Sequence, residues 1–336
     1  MRLLIIGGTQ FIGPHVARHL YGQGHDITVF HRGQHEAALL PGIRHVRSPV
    51  ASVPVLRFPD VLTRPAPDAI LHMFPVGKAD AQALMARFAG IAGRVIGISS
   101  GDVYRAYARV LGLEPGPPEP GSLSETAALR QVFFPHRHPG GSPGDWTHTY
   151  EKILVEHALL GNPALPGTIL RLPAVYGPGD PHRRLRPYVK RMLDGRRRIL
   201  VDARLAAWRW SHGYVENMAH AIALAVTSEQ AVGRVYNVAE AWTPTMAERI
   251  RGIGRLLGWD GEVIAMPAAQ LPPHLHSALA MTQDLIMNTD RIRRDLGYHE
   301  RVDMDRGLEH TIAWERDQPP APDDPGAAQY QAEDAA

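Results

Sequence analysis

Residues 1–13 read MRLLIIGGTQFIG, an apolar run that stops at paired glycines and resumes as a helix. Arg2 to Ile6 has the continuous apolar character of a strand buried on both faces of a parallel sheet. Gly7, Gly8 and Gly13 permit a tight turn, close backbone approach and close helix–strand packing. The helix expected from about Phe11 turns its free N–H groups and positive dipole end toward the turn. That order suits the pyrophosphate of a dinucleotide.

Working outward, strand and helix signals alternate. Helix Pro14–Tyr21 and the turn Gly22-Gln-Gly24 lead to a second strand at Asp26–Phe30. A weak third strand follows at Ile43–Val46, a fourth at Asp68–Met73, a helix over about Ala79–Ala89 and a fifth strand at Arg94–Ser99. A helix from about Trp146 to Leu160 precedes a sixth strand at Gly167–Leu172. The chain is therefore read as α/β, a doubly wound parallel sheet with right-handed crossovers. Ligands of such sheets sit beyond the carboxyl ends of the strands. Residues 112–146 form a Pro- and Gly-rich insertion too long for an ordinary connection, read as a functional lid or a disordered segment. Helices at Pro187–Asp194, Val215–Thr227 and Met246–Leu257, with short strands such as Arg234–Val238, give a smaller C-terminal region over 173–318. Residues 319–336, rich in proline, acid and alanine, are expected to be a disordered tail.

Composition narrows the function. Hydrophobic residues make up 44% and charged residues 21% of 336 positions, the balance of a soluble globular chain with a substantial core. A net charge of +2 gives no case for nucleic acid or an anionic membrane as the main partner. The absence of cysteine excludes disulfides, thiolate nucleophiles and cysteine-ligated metals. No apolar run reaches the ~20 residues of a membrane span, and the N-terminus has no leader pattern, so a cytoplasmic location is expected.

The glycine turn resembles the G-G-T-G-F-I-G of the extended short-chain dehydrogenases/reductases, the sugar-nucleotide epimerase and dehydratase group, with Gln10 in place of the middle glycine. Further motifs follow in that family's order. Ser99-Ser-Gly-Asp-Val-Tyr104 matches its S-S-x-x-V-Y, and Leu170-Arg-Leu-Pro-Ala-Val-Tyr-Gly-Pro-Gly-Asp180 its L-R-x-x-x-V-Y-G-P-G-D. Gly213–Ala219 resembles its V-x-D-V-A segment and Tyr236-Asn-Val238 its Y-N-V strand. The resemblance implies a Rossmann-type NAD(P)-binding domain over 1–172 and a substrate-side region over 173–318. It implies cofactor contacts from Gly7, Thr9, Gln10, Phe11, Ile12, Gly13, His31, Arg32, Met73, Lys152, Pro173 and Val175. It also implies hydride transfer on a carbohydrate-like substrate, with Ser100 bonding a substrate oxygen, and a homodimer built on helices at about 79–89 and 149–160. Atypical relatives, including chloroplast stem-loop-binding proteins, supply the alternative of a catalytically silent NADP-binding regulatory or RNA-binding protein.

The family's Tyr-x-x-x-Lys motif is broken. The run is His148-Thr-Tyr-Glu-Lys152. The lysine aligns, the tyrosine position holds His148, and on a regular helix Tyr150 points about 200° away from Lys152. Three readings stay open: His148 is the acid/base, Tyr150 reaches the site through an irregular helix start, or redox chemistry has been lost. Lys152 is a ribose-hydroxyl ligand in all three.

At the end of the second strand, where NAD enzymes usually place an acid, stand His31 and Arg32. A guanidinium suits a 2′-phosphate, which favours NADP over NAD. Arg183-Arg-Leu-Arg186 and Arg196–Arg198, with Trp208 and Trp210, fit either an anionic, sugar-like substrate or solvated charge over core tryptophans. His136-Arg-His138 and His274-Leu-His276 lack a third ligand at recognisable spacing, so no metal is assigned. A small-molecule substrate is expected; a nucleic-acid partner and membrane association are not.

Overall fold

The computed structural model describes residues 1–34, 41–50, 53–138, 142 and 145–336. Its first half is β1 (Arg2–Ile6), α1 (Ile12–Gly22), β2 (Asp26–His31), β3 (Arg44–Arg47), β4 (Ala69–His72), α2 (Lys78–Phe88), β5 (Val95–Ser100), α3 (Arg105–Val110) and α4 (Lys152–Leu160). It continues through β6 (Gly167–Leu172), β7 (Ala174–Tyr176), α5 (Arg186–Leu193), β8 (Arg198–Asp202), α6 (Ala203–Ala207), β9 (His212–Tyr214) and α7 (Val215–Thr227). Last come β10 (Val235–Asn237), α8 (Met246–Leu257), β11 (Glu262–Met266), α9 (Asp290–Leu296), α10 (Met304–Asp317) and α11 (Ala327–Asp334).

Seven strands form one sheet in the order β10-β6-β5-β4-β1-β2-β3, and every pairing is parallel. Strand order reverses at β1, between β4 and β2, which opens a crevice at the carboxyl ends of β1 and β4. Alternation along β1 feeds both faces. Leu3 and Ile5 pack with Val16, Leu20 and Ile222 from α1 and α7, whereas Leu4 and Ile6 pack with Leu84, Phe88, Val155 and Leu159 from α2 and α4. Edge strand β3 is Arg-His-Val-Arg, largely exposed, and its charges guard the open edge. The same charges explain its weak sequence signal.

Three expectations differ from the structure. The helix expected over 146–160 is broken: a 3₁₀ turn at Trp146–His148 is followed by non-helical backbone and then α4. The boundary at 172 is not a spatial one, because β10 joins the central sheet beside β6 and α7 packs on α1. The segment 319–336 is no disordered tail. Asp324 pairs with Arg186, Glu333 with Arg191 and Asp334 with Arg196, and these ion pairs hold α11 against α5 and the residues after it. Part of the 112–146 insertion, residues 139–141, 143 and 144, lies outside the described residues. Its described part is packed, with Leu123 N–H donating to the Ile286 carbonyl and Arg130 N–H to that of Val103. Among the described residues, no helix is long and apolar enough to cross a membrane.

Candidate active site

The glycine turn forms the floor of the crevice. Gly7 and Gly8 hold φ of 84° and 86°, a region that side-chain-bearing residues rarely enter. A Cβ on Gly13 would lie 2.2 Å from Gly8 Cα, so only glycine lets α1 approach β1 this closely. Phe11, the N-cap of α1, also has positive φ (47°), and Gly179 of the G-P-G-D loop packs beneath it. Among the described residues, the amides of Thr9, Gln10, Phe11 and Ile12 donate to no protein acceptor. Gln10 is exposed and does not fill the turn. Met73, half-buried after β4, lies against Gly7.

At the end of β2, His31 Nδ1 accepts the Gly33 amide at 3.1 Å, and its Nε2 lies 3.0 Å from His45 Nδ1. This pattern places the His31 proton on Nε2 and commits both nitrogens within the protein. Arg32 is half-buried, and no acceptor among the described residues pairs with it.

Ser100, Asp102, Tyr150 and Lys152 converge at the ends of β4 and β5. Ser100 caps the short turn after β5, its Oγ accepting the Asp102 amide at 3.2 Å. The Tyr150 hydroxyl donates to Asp102 Oδ2 at 2.7 Å. Lys152 Nζ donates to the carbonyls of Pro75 (2.6 Å) and Ile98 (3.0 Å), which leaves one of its three donors for a ligand. Its ammonium is 5.3 Å from the centroids of both the Tyr150 and Phe74 rings. Tyr150 and Lys152 meet because the helix begins later than the sequence suggests. Glu151 is the N-cap of α4 with extended backbone (φ −156°, ψ 94°), and residues two apart on an extended chain face the same side. His148 is left outside: it ends the 3₁₀ turn, and its carbonyl accepts from Arg137 at 2.7 Å. Among the described residues, no hydrogen bond joins its ring to Ser100, Asp102 or Lys152.

The late helix start is built from residues that sequence reading overlooked. The carboxylate of Glu151, fully buried, is gripped by Arg130 through Nη1 (2.7 Å) and Nη2 (2.6 Å) and also accepts the Phe134 and Ile153 amides. Arg130 Nε reaches back to the Asp102 carbonyl at 2.9 Å, so one guanidinium ties both sides of the site together. The Glu151 amide donates to the Val76 carbonyl, and a Cβ on Gly77 would meet the Thr149 carbonyl at 2.3 Å. Asp102 stood inside the quoted S-S-G-D-V-Y run and was readable as a polar residue at a strand end. Nothing local marks Arg130 as the partner of a residue twenty-one positions away.

Electrostatics follow from burial. Burial, then the Asp102 carboxylate, pushes the Tyr150 phenol well above its ordinary value. Burial alone would raise Asp102, but hydrogen bonds from His136 and Tyr150 and the Arg130 charge bring it below the usual range. Burial lowers Lys152 to about 8, against the pull of Asp102, Asp80 and Glu156. Below the site, Glu156 accepts from Ser99 at 2.6 Å and pairs with Arg171, which donates to the Tyr104 hydroxyl at 3.0 Å; that hydroxyl in turn donates to Asn237 at 2.6 Å.

Other expected residues sit elsewhere. Val175 is packed in the core and its carbonyl accepts from Arg184, while Pro173 is half-buried beside it. The arginine cluster is largely spent on carboxylates: Arg183 on Glu315, Arg184 on Asp180, Arg186 on Asp324 and Arg196 on Asp334. Trp208 is core, its Nε1 donating to the Gln283 carbonyl. His274 pairs with Glu333 and His276 bonds the Leu271 carbonyl, while His136 faces Asp102.

Residues 146–239 match the model of the NAD dependent epimerase/dehydratase family. Two curated relatives, y4nL of Sinorhizobium fredii and YbjS of Escherichia coli K12, both uncharacterized, are each 27% identical, over 207 and 221 residues. Those matches cover 53% and 56% of this chain and 57% and 61% of the relatives, so the chain spans about three fifths of their length. Among solved structures, MoeE5 in complex with UDP-glucuronic acid and NAD superposes with a TM-score of 0.66 at 18% identity, covering 94% of this chain and 99% of that one. UDP-glucose 4-epimerase of Thermotoga maritima gives the same values. DesIV, the dTDP-glucose 4,6-dehydratase of Streptomyces venezuelae, gives 0.66 at 21% identity, covering 94% and 97%. The segment bearing Tyr150, Lys152 and β6 thus matches the NAD dependent epimerase/dehydratase family, and the chain shares the fold of these solved structures.

Proposed function

We propose that the protein is a nicotinamide-dependent oxidoreductase of the epimerase/dehydratase type, acting on a carbohydrate-like substrate by hydride transfer. The observation that carries this reading is the convergence of Ser100, Tyr150 and Lys152 despite the broken Tyr-x-x-x-Lys spacing. The free amides of Thr9–Ile12 and the uncapped α1 would hold the pyrophosphate. Lys152, with one donor unspent, would hold the ribose hydroxyls. The nicotinamide, when bound, supplies a carrier for the hydride. Ser100 orients the substrate oxygen, and Tyr150 exchanges a proton with it. Support for NADP over NAD comes from Arg32, unpaired among the described residues, and from His31, whose nitrogens are committed elsewhere.

Assembly belongs to the same proposal, and burial selects the face that is left for it. Ile153 and Leu159 are consumed by the core of one subunit, so a homodimer would use the outward residues Leu154, His157 and Leu160 of α4. Sedimentation equilibrium of Leu160→Glu against the parent chain checks it.

The test is a screen of sugars and nucleotide sugars with NADPH and NADH, following nicotinamide absorbance and product. Tyr150→Phe should lower turnover roughly 10²–10⁴-fold, the usual contribution of a general acid/base, and His148→Ala should change it little. The reverse ranking would make His148 the acid/base. Bound nucleotide with no hydride transfer across the screen would instead favour a silent NADP-binding regulatory protein.

A further inference from the structure

Tyr150 raises a difficulty that its neighbours resolve. A buried phenol that gives its proton to a substrate oxygen becomes a phenolate beside the Asp102 carboxylate, two like charges in a buried site. Lys152 offers little route to water, since it is 3% exposed and two of its donors are held by carbonyls. Asp102 offers another. Its Oδ2 accepts from Tyr150 at 2.7 Å and lies 3.5 Å from Nε2 of His136, so one carboxylate oxygen bridges phenol and imidazole. The His136 side chain is 30% exposed, and its ring packs edge-on against Tyr150, centroids 5.2 Å apart. Asp102 Oδ1 is buried with no partner among the described residues, which leaves the carboxylate free to redistribute its bonds.

We infer that His136 and Asp102 form a proton relay joining the Tyr150 hydroxyl to solvent through the single oxygen Oδ2. The relay rests on the hydride-transfer reading above. In carbonyl reduction the Tyr150 O–H bond breaks as its proton goes to the substrate oxygen. Protonated His136 Nε2 gives a proton to Asp102 Oδ2, the carboxylic acid so formed passes it to the phenolate and returns to carboxylate, and His136 recovers a proton from water. Oxidation runs the same steps backward. No electrons pass along this path; they travel with the hydride. The charged and titratable groups around the relay are Tyr107, Arg130, Lys152 and, beyond Tyr107, Arg184. His136 touches no substrate here and acts through Asp102 on Tyr150.

The relay can be read without nucleotide or sugar. With tyrosine labelled at 13Cζ, transfer from H₂O to D₂O reports hydroxyl exchange at each buried phenol. Tyr104 serves as internal control, because its hydroxyl bonds Asn237 and Arg171 and has no carboxylate–imidazole path among the described residues. His136→Gly should slow Tyr150 exchange at least fivefold, leave Tyr104 unchanged, and regain its rate on adding imidazole. Asp102→Asn should slow it as much without imidazole rescue. Slowing of less than fivefold in His136→Gly, or slowing that imidazole does not reverse, overturns the relay. Because no turnover is measured, that result stands apart from success or failure of the proposed activity.

Discussion

His72, the last residue of β4, shows how one side chain links the crevice to the acid behaviour of the whole protein. Its ring is buried, and both nitrogens lack a hydrogen-bond partner among the described residues. Asp80 lies 3.9 Å away, but its oxygens already accept the amides of Val76 and Gly77. Burial, then the Lys152 charge, lowers His72 to about 3. Between pH 6.5 and 3 the unfolded chain therefore binds a proton at this position that the folded chain refuses. Stability falls as pH drops through that window, by up to about 1.4 kcal/mol per pH unit from this group. His72→Leu removes the refused proton and two unsatisfied nitrogens. Urea unfolding should show it no less stable than the parent at pH 7 and relatively more stable at pH 4. An unchanged gap between the two pH values would exclude His72 as a source of acid lability. At the opposite wall, Arg32 is the residue whose loss should be felt only by one nucleotide. Arg32→Ala should weaken NADPH binding roughly 10- to 100-fold, the worth of a charge-assisted contact, and leave NADH unchanged in thermal-shift titrations. Equal shifts for both nucleotides in the parent chain would remove the case for NADP.

Among the elements, α4 sets how Tyr150 and Lys152 face each other by where it begins. A helix running from Trp146 would turn Tyr150 away from Lys152. Instead, the Arg130–Glu151 pair fixes an N-cap at 151 and keeps the preceding backbone non-helical. Arg130→Leu leaves the Glu151 carboxylate buried and unpaired, which costs about 3–5 kcal/mol. Denaturant unfolding should show that loss, together with a fall in turnover larger than the loss of folded protein explains, because Tyr150 and Lys152 shift with the helix start. Arg130→Lys should recover part of the stability through a single charge contact but not the two-point grip. Unchanged stability in Arg130→Leu would mean that other contacts hold the cap. The same elements show how much of a family motif is backbone geometry: Tyr-x-x-x-Lys requires four-residue spacing only when both residues lie on one helix.

Across the whole molecule, the C-terminal segment closes the structure onto itself. Arg191 and Glu333 are both largely buried, Arg186 meets Asp324, and Arg183 meets Glu315 of α10. The arginine cluster, which the sequence leaves open to an anionic substrate or to solvated charge, is thus largely satisfied by internal carboxylates. A chain ending at residue 318 should be less stable by about 1–3 kcal/mol, less than a broken buried pair, because water can reach the uncovered arginines. Chemical denaturation of the shortened and full chains at matched salt measures this. No difference would mean that α11 contributes nothing to the fold.

The sequence by itself determined the doubly wound parallel sheet, the glycine turn and the late positions of the motifs. These rest on local signals: buried strands read as apolar runs, and Gly7, Gly8 and Gly13 are required by backbone geometry within a few residues of one another. β6 was legible to the residue, Gly167–Leu172, because both its faces are covered. The positions of Ser100 and Lys152, at a strand end and a helix start beside the crevice, were legible as well. What only the tertiary structure decided were matters of long-range pairing. Whether His148 or Tyr150 faces Ser100 depends on Arg130 capturing Glu151. Whether 319–336 is ordered depends on arginines more than a hundred positions earlier. The composition of an acidic, proline-containing segment carries no record of the cations it will meet. A buried ion pair is a property of two distant positions, and only the fold brings them together.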